Sequence, residues 1–375
     1  RAYIDFFSGA GTLNYGHNNS LFKDKLIAYL QDDGVVHGLD MATQAKKEFL
    51  ETFEDIILKP RNMEYTFQFT GPNGTNSVEA ALKTARQVTG RENIISFTHG
   101  FHGVSMGSLS VTANQKFRSV AGVALGNTTF MPYDGYLGPD VDTISYLEKM
   151  LSDPSSGVDK PAAVIVETIQ GEGGVNVATH RWLEELQAVC RRHDMLFIVD
   201  DIQVGCGRTG TFFSFEKMDI QPDIITLSKS LSAFGLPMSM VLMKPEYDIW
   251  YPGAHSGTFR GSYWQNDQFT QEIQKKEAII RDCLENIVQS YADAGLGVRG
   301  RGLIQGLVTA QEPELAGEIA QQCFENGLII ETSGAQDEVL KLLPALTIET
   351  ELLKKGMAII EQSVAEVLTR KTAKA

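Results

Sequence analysis

The chain has 375 residues, 43% hydrophobic and 21% charged, the balance of a soluble globular protein long enough for more than one domain. Its net charge is −14, and the acidic residues are scattered rather than blocked, so a nucleic-acid partner, which demands clustered lysine and arginine, is not expected. No run of about 18 apolar residues occurs, which leaves no transmembrane candidate and no membrane partner, and no signal peptide is visible.

The opening RAYIDFF reads as the middle of a strand, so the natural N-terminus is expected upstream. Residues 1–45 are too few for a domain and are expected to pack on a smaller one. From 46 to 261 the texture alternates. ENIISF (Glu92–Phe97), AAVIVE (Ala162–Glu167), MLFIVDD (Met195–Asp201), DIITLS (Asp223–Ser228) and MSMVLM (Met238–Met243) are short aliphatic runs. Amphipathic stretches such as Ser77–Val88 and His180–His193 lie between them. This alternation predicts an α/β fold, a mostly parallel sheet covered on both faces, with ligands beyond the carboxyl ends of its strands. HSGTFRG then runs straight into SYWQNDQF at Gly261 and Ser262, where a loop is expected to be missing. From 262 to 375 a long amphipathic helix ending at Gly295, several short strands and a final helix from Glu349 to about Lys371 predict a smaller α+β domain with antiparallel strands.

Cys190, Cys206, Cys283 and Cys323 are far apart and form no CxxC pair, and the seven histidines show no HxxxH spacing. Neither a disulfide framework nor a metal site is expected, and a reducing cytoplasm is the expected location.

Four stretches carry chemistry. In VDDIQVGCGRTG, Asp200 follows four apolar residues at a strand's carboxyl end, where a carboxylate needs a cationic or donor partner. Lys229 follows the next strand. If the two strands are neighbours, about 4.8 Å apart, both side chains enter one crevice. A desolvated lysine amine can hold an aldehyde as a Schiff base, and a carboxylate can keep a pyridine nitrogen protonated. FTGPNGTNSVEAALKTAR supplies Gly71, Asn73, Gly74, Thr75 and Asn76 before a helix expected to begin near Ser77, a pattern suited to a phosphate. In THGFHGVSMG, Phe101 could stack on a planar ring. Each has a plainer reading alone: a helix cap or surface ion pair for Asp200, a snorkelling surface lysine, any capped helix, a core aromatic.

Together the pieces resemble the class III (ω-amino acid) aminotransferases of pyridoxal phosphate (PLP) fold type I, over nearly the whole chain. The resemblance rests on ETIQGEGG (Glu167–Gly174), VDDIQVGCGRTG, LSKSLSAFGLPMS and HSGTFRG (His255–Gly261), in the family's order and spacing. FFSGAGTLNYGHNN, HGLDMATQAKKEFL, HGFHGVSMGSLSVT and KLLPALTI resemble more narrowly the subgroup of ectoine biosynthesis. That subgroup couples L-glutamate and 2-oxoglutarate to L-aspartate 4-semialdehyde and L-2,4-diaminobutyrate. The resemblance implies PLP as cofactor, with Lys229 as its anchor and proton carrier and Asp200 on the pyridine nitrogen. Ile202 and Phe101 would take opposite ring faces, Gln203 would bond near the phenolic oxygen, and His102 would lie beside the ring. Gly74 and Thr75 would bind the phosphate, completed by Thr258 of a neighbouring subunit, which implies an obligate homodimer or a higher homo-oligomer. Glu172 matches a pocket-gating acid. Two positions depart from the pattern. Asp201 stands where most members have glutamate, and Lys341 stands where many have an arginine for the substrate's α-carboxylate. Lysine can pair with a carboxylate but not as a planar fork. Members acting on ornithine, acetylornithine or GABA, an aminomutase, and an inactive PLP-binding scaffold are the rival readings. A nicotinamide dehydrogenase is disfavoured, since no GxGxxG turn with a following acidic residue is present.

Overall fold

The computed structural model describes residues 2–38, 41–251, 253–255 and 270–372. Thr258 and the expected break at Gly261–Ser262 lie outside the described residues. Seven strands form the large sheet: β1 (Thr66–Phe69), β2 (Ile94–Phe97), β3 (Thr128–Met131), β4 (Ala163–Val166), β5 (Leu196–Asp200), β6 (Ile224–Leu227) and β7 (Met240–Met243). Their order is β1-β7-β6-β5-β4-β2-β3, and only β7 runs antiparallel to its neighbours. β2 and β4 to β7 are buried along their whole length, which is why they read as unbroken apolar runs rather than alternating ones.

The strand period of two decides which face each residue serves. Phe197, Val199 and Ile225 join one core with a helix at His180–Arg192, which buries Trp182, Leu183, Leu186, Val189 and Cys190 on one stripe. Leu196, Ile198 and Ile224 join another with α1 (Gly74–Thr89), whose small face of Ala80, Ala81 and Ala85 lets it lie close on the sheet. Asp200 and Thr226 follow in the same phase as Ile198 and Ile224. They are direct partners across β5 and β6, on the α1 side, at the carboxyl end of the sheet.

A second sheet is wholly antiparallel: β8 (Gly297–Arg301), β9 (Ile304–Val308), β10 (Glu331–Ser333) and β11 (Val339–Leu342), in the order β8-β9-β11-β10. Leu340 and Leu342 pack with helices α2 (Thr270–Ser290), α3 (Glu314–Asn326) and α4 (Thr350–Thr372). The alternate residues, Val339 and Lys341, take the opposite face. Val339 packs there with Ile169, Val175 and Val204, which flank the first sheet's strand ends. The run LIIET divides. Leu328–Ile329 pairs with the short strand Ile4–Asp5, and Glu331–Ser333 pairs with β11. Phe6 is buried in the second core.

Arg208 ties these parts together. It is fully buried and donates to the carbonyls of Leu303 (3.2 Å) and Pro344 (2.6 Å) and to Asn14 Oδ1. No carboxylate pairs with it among the described residues, and burial lowers its pKa to about 9. Asn14 in turn donates its N–H to Ser230 Oγ at 3.2 Å, so this knot reaches the residue next to Lys229. No helix among the described residues is long and apolar enough to cross a membrane.

Candidate active site

Lys229 opens a tight turn, Lys229–Ser232, immediately after β6, with φ at +52°. A non-glycine residue held in that region costs on the order of 1–3 kcal/mol, so the surroundings must fix it. They do so from both sides. Ser228 Oγ donates to Met238 O at 2.8 Å, and Ser230 Oγ donates to Gly11 O at 2.7 Å. The lysine is half-buried, and no described residue forms an ion pair with its Nζ. Burial lowers its pKa below the ordinary 10.5, opposed by Glu172 and helped by Lys341. A lysine so placed is biased toward the neutral, nucleophilic amine.

Asp200 is buried and fully engaged. Its Oδ1 accepts from Thr226 Oγ1 (3.1 Å) and from the Ile202 N–H (3.2 Å), and its Oδ2 lies 2.7 Å from His102 Nδ1. Burial alone would push the His102 pKa down. The hydrogen bond and charge of Asp200, with Glu167 nearby, more than offset this, and the net shift is upward. His102 is therefore biased toward the imidazolium form, a cationic partner that the strand-end carboxylate requires. The sequence placed His102 beside the site but did not reveal this pairing. It joins residues 98 apart on different strand ends.

Glu167, at the carboxyl end of β4, is buried behind this pair. Burial raises its pKa to about 8, with the charge of Asp200 adding and His102 opposing. Its Oε1 accepts the Phe101 N–H at 2.9 Å, which fixes the loop that carries Phe101 and His102. Between its ordinary 4.5 and about 8 the folded protein holds a proton that the unfolded chain has released. This group therefore makes stability fall as pH rises through that window. Glu167→Gln is expected to flatten the decline of unfolding free energy from about pH 5 to about pH 8, measured by urea denaturation. An unchanged slope would count against the buried proton.

The anion cradle differs from the sequence expectation in one respect. Helix α1 begins at Gly74, three residues before the expected start at Ser77, because Asn73 forms the cap and donates its N–H to Asn76 Oδ1 at 3.3 Å. Gly74 and Thr75 thus supply the first-turn N–H groups, which have no intrahelical acceptor. A Cβ on Gly74 would come within 3.2 Å of Ile202, so glycine lets the helix start press against that side chain. Thr75 Oγ1 bonds to the hydroxyls of Ser105 and Ser108, and Ser105 donates to Glu79 Oε1 at 2.6 Å. Phe101 is half-buried, edge-on to Phe117.

The third part comes from both sheets. Gln203 Nε2 donates to Ala10 O (3.0 Å) and to Glu172 Oε1 (2.9 Å), while its Oε1 is buried without a partner. Lys341 Nζ, with no exposed surface, lies 2.7 Å from Glu172 Oε1 and 3.2 Å from Glu331 Oε1. Burial would raise the Glu172 pKa, but Lys341 and then Lys229 hold it down at about 2. Glu331 is raised by burial, against the pull of Lys341. Sequence reasoning missed Glu331, since only the register of β10 and β11 sets it opposite Lys341.

Lys229, Asp200, His102, Ile202, Gln203, Gly74 and Thr75 thus gather at the carboxyl ends of β5 and β6, with Phe101 on the adjoining loop. The residues fit an aromatic aldehyde phosphate. They offer an amine with no ion-pair partner among the described residues, a buried carboxylate for a ring N–H, a helix start for a dianion and, on Gln203, an acceptor left unpaired by the described residues. A polar cavity of about 410 Å³, lined by Arg91, Asn127 and Lys160 among others, lies at the amino ends of β2 and β3, the far end of the sheet.

Comparison with known proteins adds relatives of this arrangement. The family described as Aminotransferase class-III matches residues 1–364. A protein of Bordetella parapertussis named diaminobutyrate--2-oxoglutarate transaminase is 73% identical, covering 98% of this chain and 87% of its own length. A Wolinella succinogenes protein of the same name is 53% identical, covering 100% and 90%. Among solved structures, the ornithine aminotransferase of Toxoplasma gondii superposes with a TM-score of 0.83 at 24% identity, covering 99% and 87%. An S-selective transaminase from Arthrobacter sp. superposes at 0.85 and 20% identity, covering 97% and 89%.

Proposed function

Because the chain belongs to the class III aminotransferase family, we propose that it moves the amino group of L-glutamate to L-aspartate 4-semialdehyde. The products are 2-oxoglutarate and L-2,4-diaminobutyrate, a supply step for ectoine. One observation carries the substrate assignment: the 73% identity, over 98% of this chain, to a protein named for that pair of compounds. We propose a cytoplasmic homodimer or higher homo-oligomer, in which Thr258 is assigned to the phosphate site of a neighbouring subunit. Its parts are an N-terminal segment 1–45, a large domain 46–261 and a small domain 262–375.

When bound, PLP supplies an aldehyde that takes up the amino group and a ring that accepts the electron pair left as a proton departs. Lys229 would anchor it and, once displaced by the substrate amine, carry the proton at the substrate carbon. Asp200 would hold the ring nitrogen in its protonated form, and its pairing with His102 keeps it aimed. Gly74 and Thr75 would hold the phosphate, Ile202 and Phe101 would flank the ring, and Gln203 would meet the phenolic oxygen. Lys341 faces the same crevice and suits the carboxylate on the reacting carbon of glutamate. Diaminobutyrate reacts through its terminal amine, so its reacting carbon is a methylene without a carboxylate, and Glu172 can then remain on Lys341.

A panel of amines with 2-oxoglutarate as acceptor tests the assignment. L-2,4-Diaminobutyrate is expected to give the highest kcat/KM, by about tenfold or more over ornithine, N-acetylornithine and GABA. A clear preference for one of those three would replace the substrate assignment while leaving the family intact.

A further inference from the structure

We propose that Glu331 acts as a specificity residue, which weakens the hold of Lys341 on any substrate with a carboxylate on its reacting carbon. The inference rests on the proposed transaminase function and deepens it. Lys341 is a single cation shared between two carboxylates, Glu172 at 2.7 Å and Glu331 at 3.2 Å. The two are held differently. Glu172 lies on the turn between the short strands Ile169–Gln170 and Asn176–Val177, and its carboxylate has a second donor in Gln203. It can leave Lys341 and remain hydrogen-bonded. Glu331 stands directly across β10 and β11 from Lys341 in an antiparallel register, so it stays on the same face whatever the turn does. Its Oε1 is buried and has no donor other than Lys341 among the described residues.

An incoming substrate carboxylate can take the place of Glu172 but not that of Glu331. It then binds with a fixed negative charge beside it, in a site with little solvent to screen the repulsion. An amine on a bare methylene calls for no such exchange. Glu331 therefore tilts the site away from α-amino acids such as glutamate and toward terminal amines. This lets one crevice serve both halves of the cycle without glutamate saturating it.

The test is the PLP-loaded enzyme reacted separately with L-glutamate and L-2,4-diaminobutyrate, the cofactor band being followed in each half-reaction. Glu331→Gln keeps the shape and removes the charge. It is expected to lower the KM for glutamate relative to that for diaminobutyrate roughly fivefold, with the change in KM rather than kcat. Glu331→Asp, which draws the charge back from Lys341, is expected to move the ratio the same way by less. It supplies the comparison if the glutamine variant folds poorly. A ratio that stays fixed, or moves in the opposite direction, overturns the proposal alone. A wild-type enzyme inert to both compounds overturns the proposed function and this inference with it.

Discussion

Replacing Lys229 with alanine is expected to abolish transamination, with turnover lower by about four orders of magnitude or more, because a positioned nucleophile and its proton transfers are lost together. The visible absorbance of the bound cofactor that borohydride can fix to the protein should vanish as well. The structure separates this from general damage. Lys229 has no ion-pair partner among the described residues, and its turn is pinned by the hydroxyls of Ser228 and Ser230 rather than by its own side chain. The left-handed backbone is no worse for alanine than for lysine. The variant should therefore melt close to the wild-type temperature without cofactor. A glycine variant, free of the backbone strain, should be equally inactive. An active Lys229→Ala protein would remove the lysine from the mechanism altogether.

Asp200→Ala is the second large effect, and about a thousandfold loss in kcat/KM is expected with the fold retained. The variant removes the group assigned to the ring nitrogen and also strips His102 of the carboxylate 2.7 Å away. Because the His102 pKa is raised in the folded state, the stability it contributes is fully present below its ordinary 6.5. That contribution is lost as pH rises through the folded value. Removing Asp200 takes away the cause of the shift, so this alkaline loss should disappear from the variant's stability profile. Near-normal turnover, or an alkaline limb identical to the wild type, would contradict the assignment.

The fold is the type I fold of PLP-dependent transferases, and the two charged residues at the centre of the candidate site stood out in the sequence for a physical reason. Strands buried on both faces are written as unbroken apolar runs, and a charged residue ending such a run stands out. Asp200 and Lys229 are both of this kind, and β5 and β6 prove to be direct neighbours. The glycine-rich turn proposed for the phosphate stood out by composition, but its helix started early, because the Asn73 cap let Gly74 and Thr75 enter the helical turn. Partnerships between distant segments were not legible. His102 with Asp200 depends on where a loop after β2 folds back. Glu331 with Lys341 depends on a strand register that the run LIIET conceals, since it serves two different sheets. The burial of Arg208 on backbone carbonyls, with no carboxylate paired to it among the described residues, has no sequence signal, because arginine is ordinarily read as a surface residue.

The central claim is that this site carries nitrogen from glutamate to the terminal carbon of an amino-acid aldehyde. The most direct measurement supplies purified, PLP-loaded enzyme with nitrogen-15 L-glutamate and L-aspartate 4-semialdehyde and locates the label by NMR. The account predicts L-2,4-diaminobutyrate labelled at its terminal nitrogen alone, with 2-oxoglutarate formed in equal amount. Label absent from that nitrogen, with the semialdehyde unchanged while the bound cofactor takes up the amino group of glutamate, would contradict it.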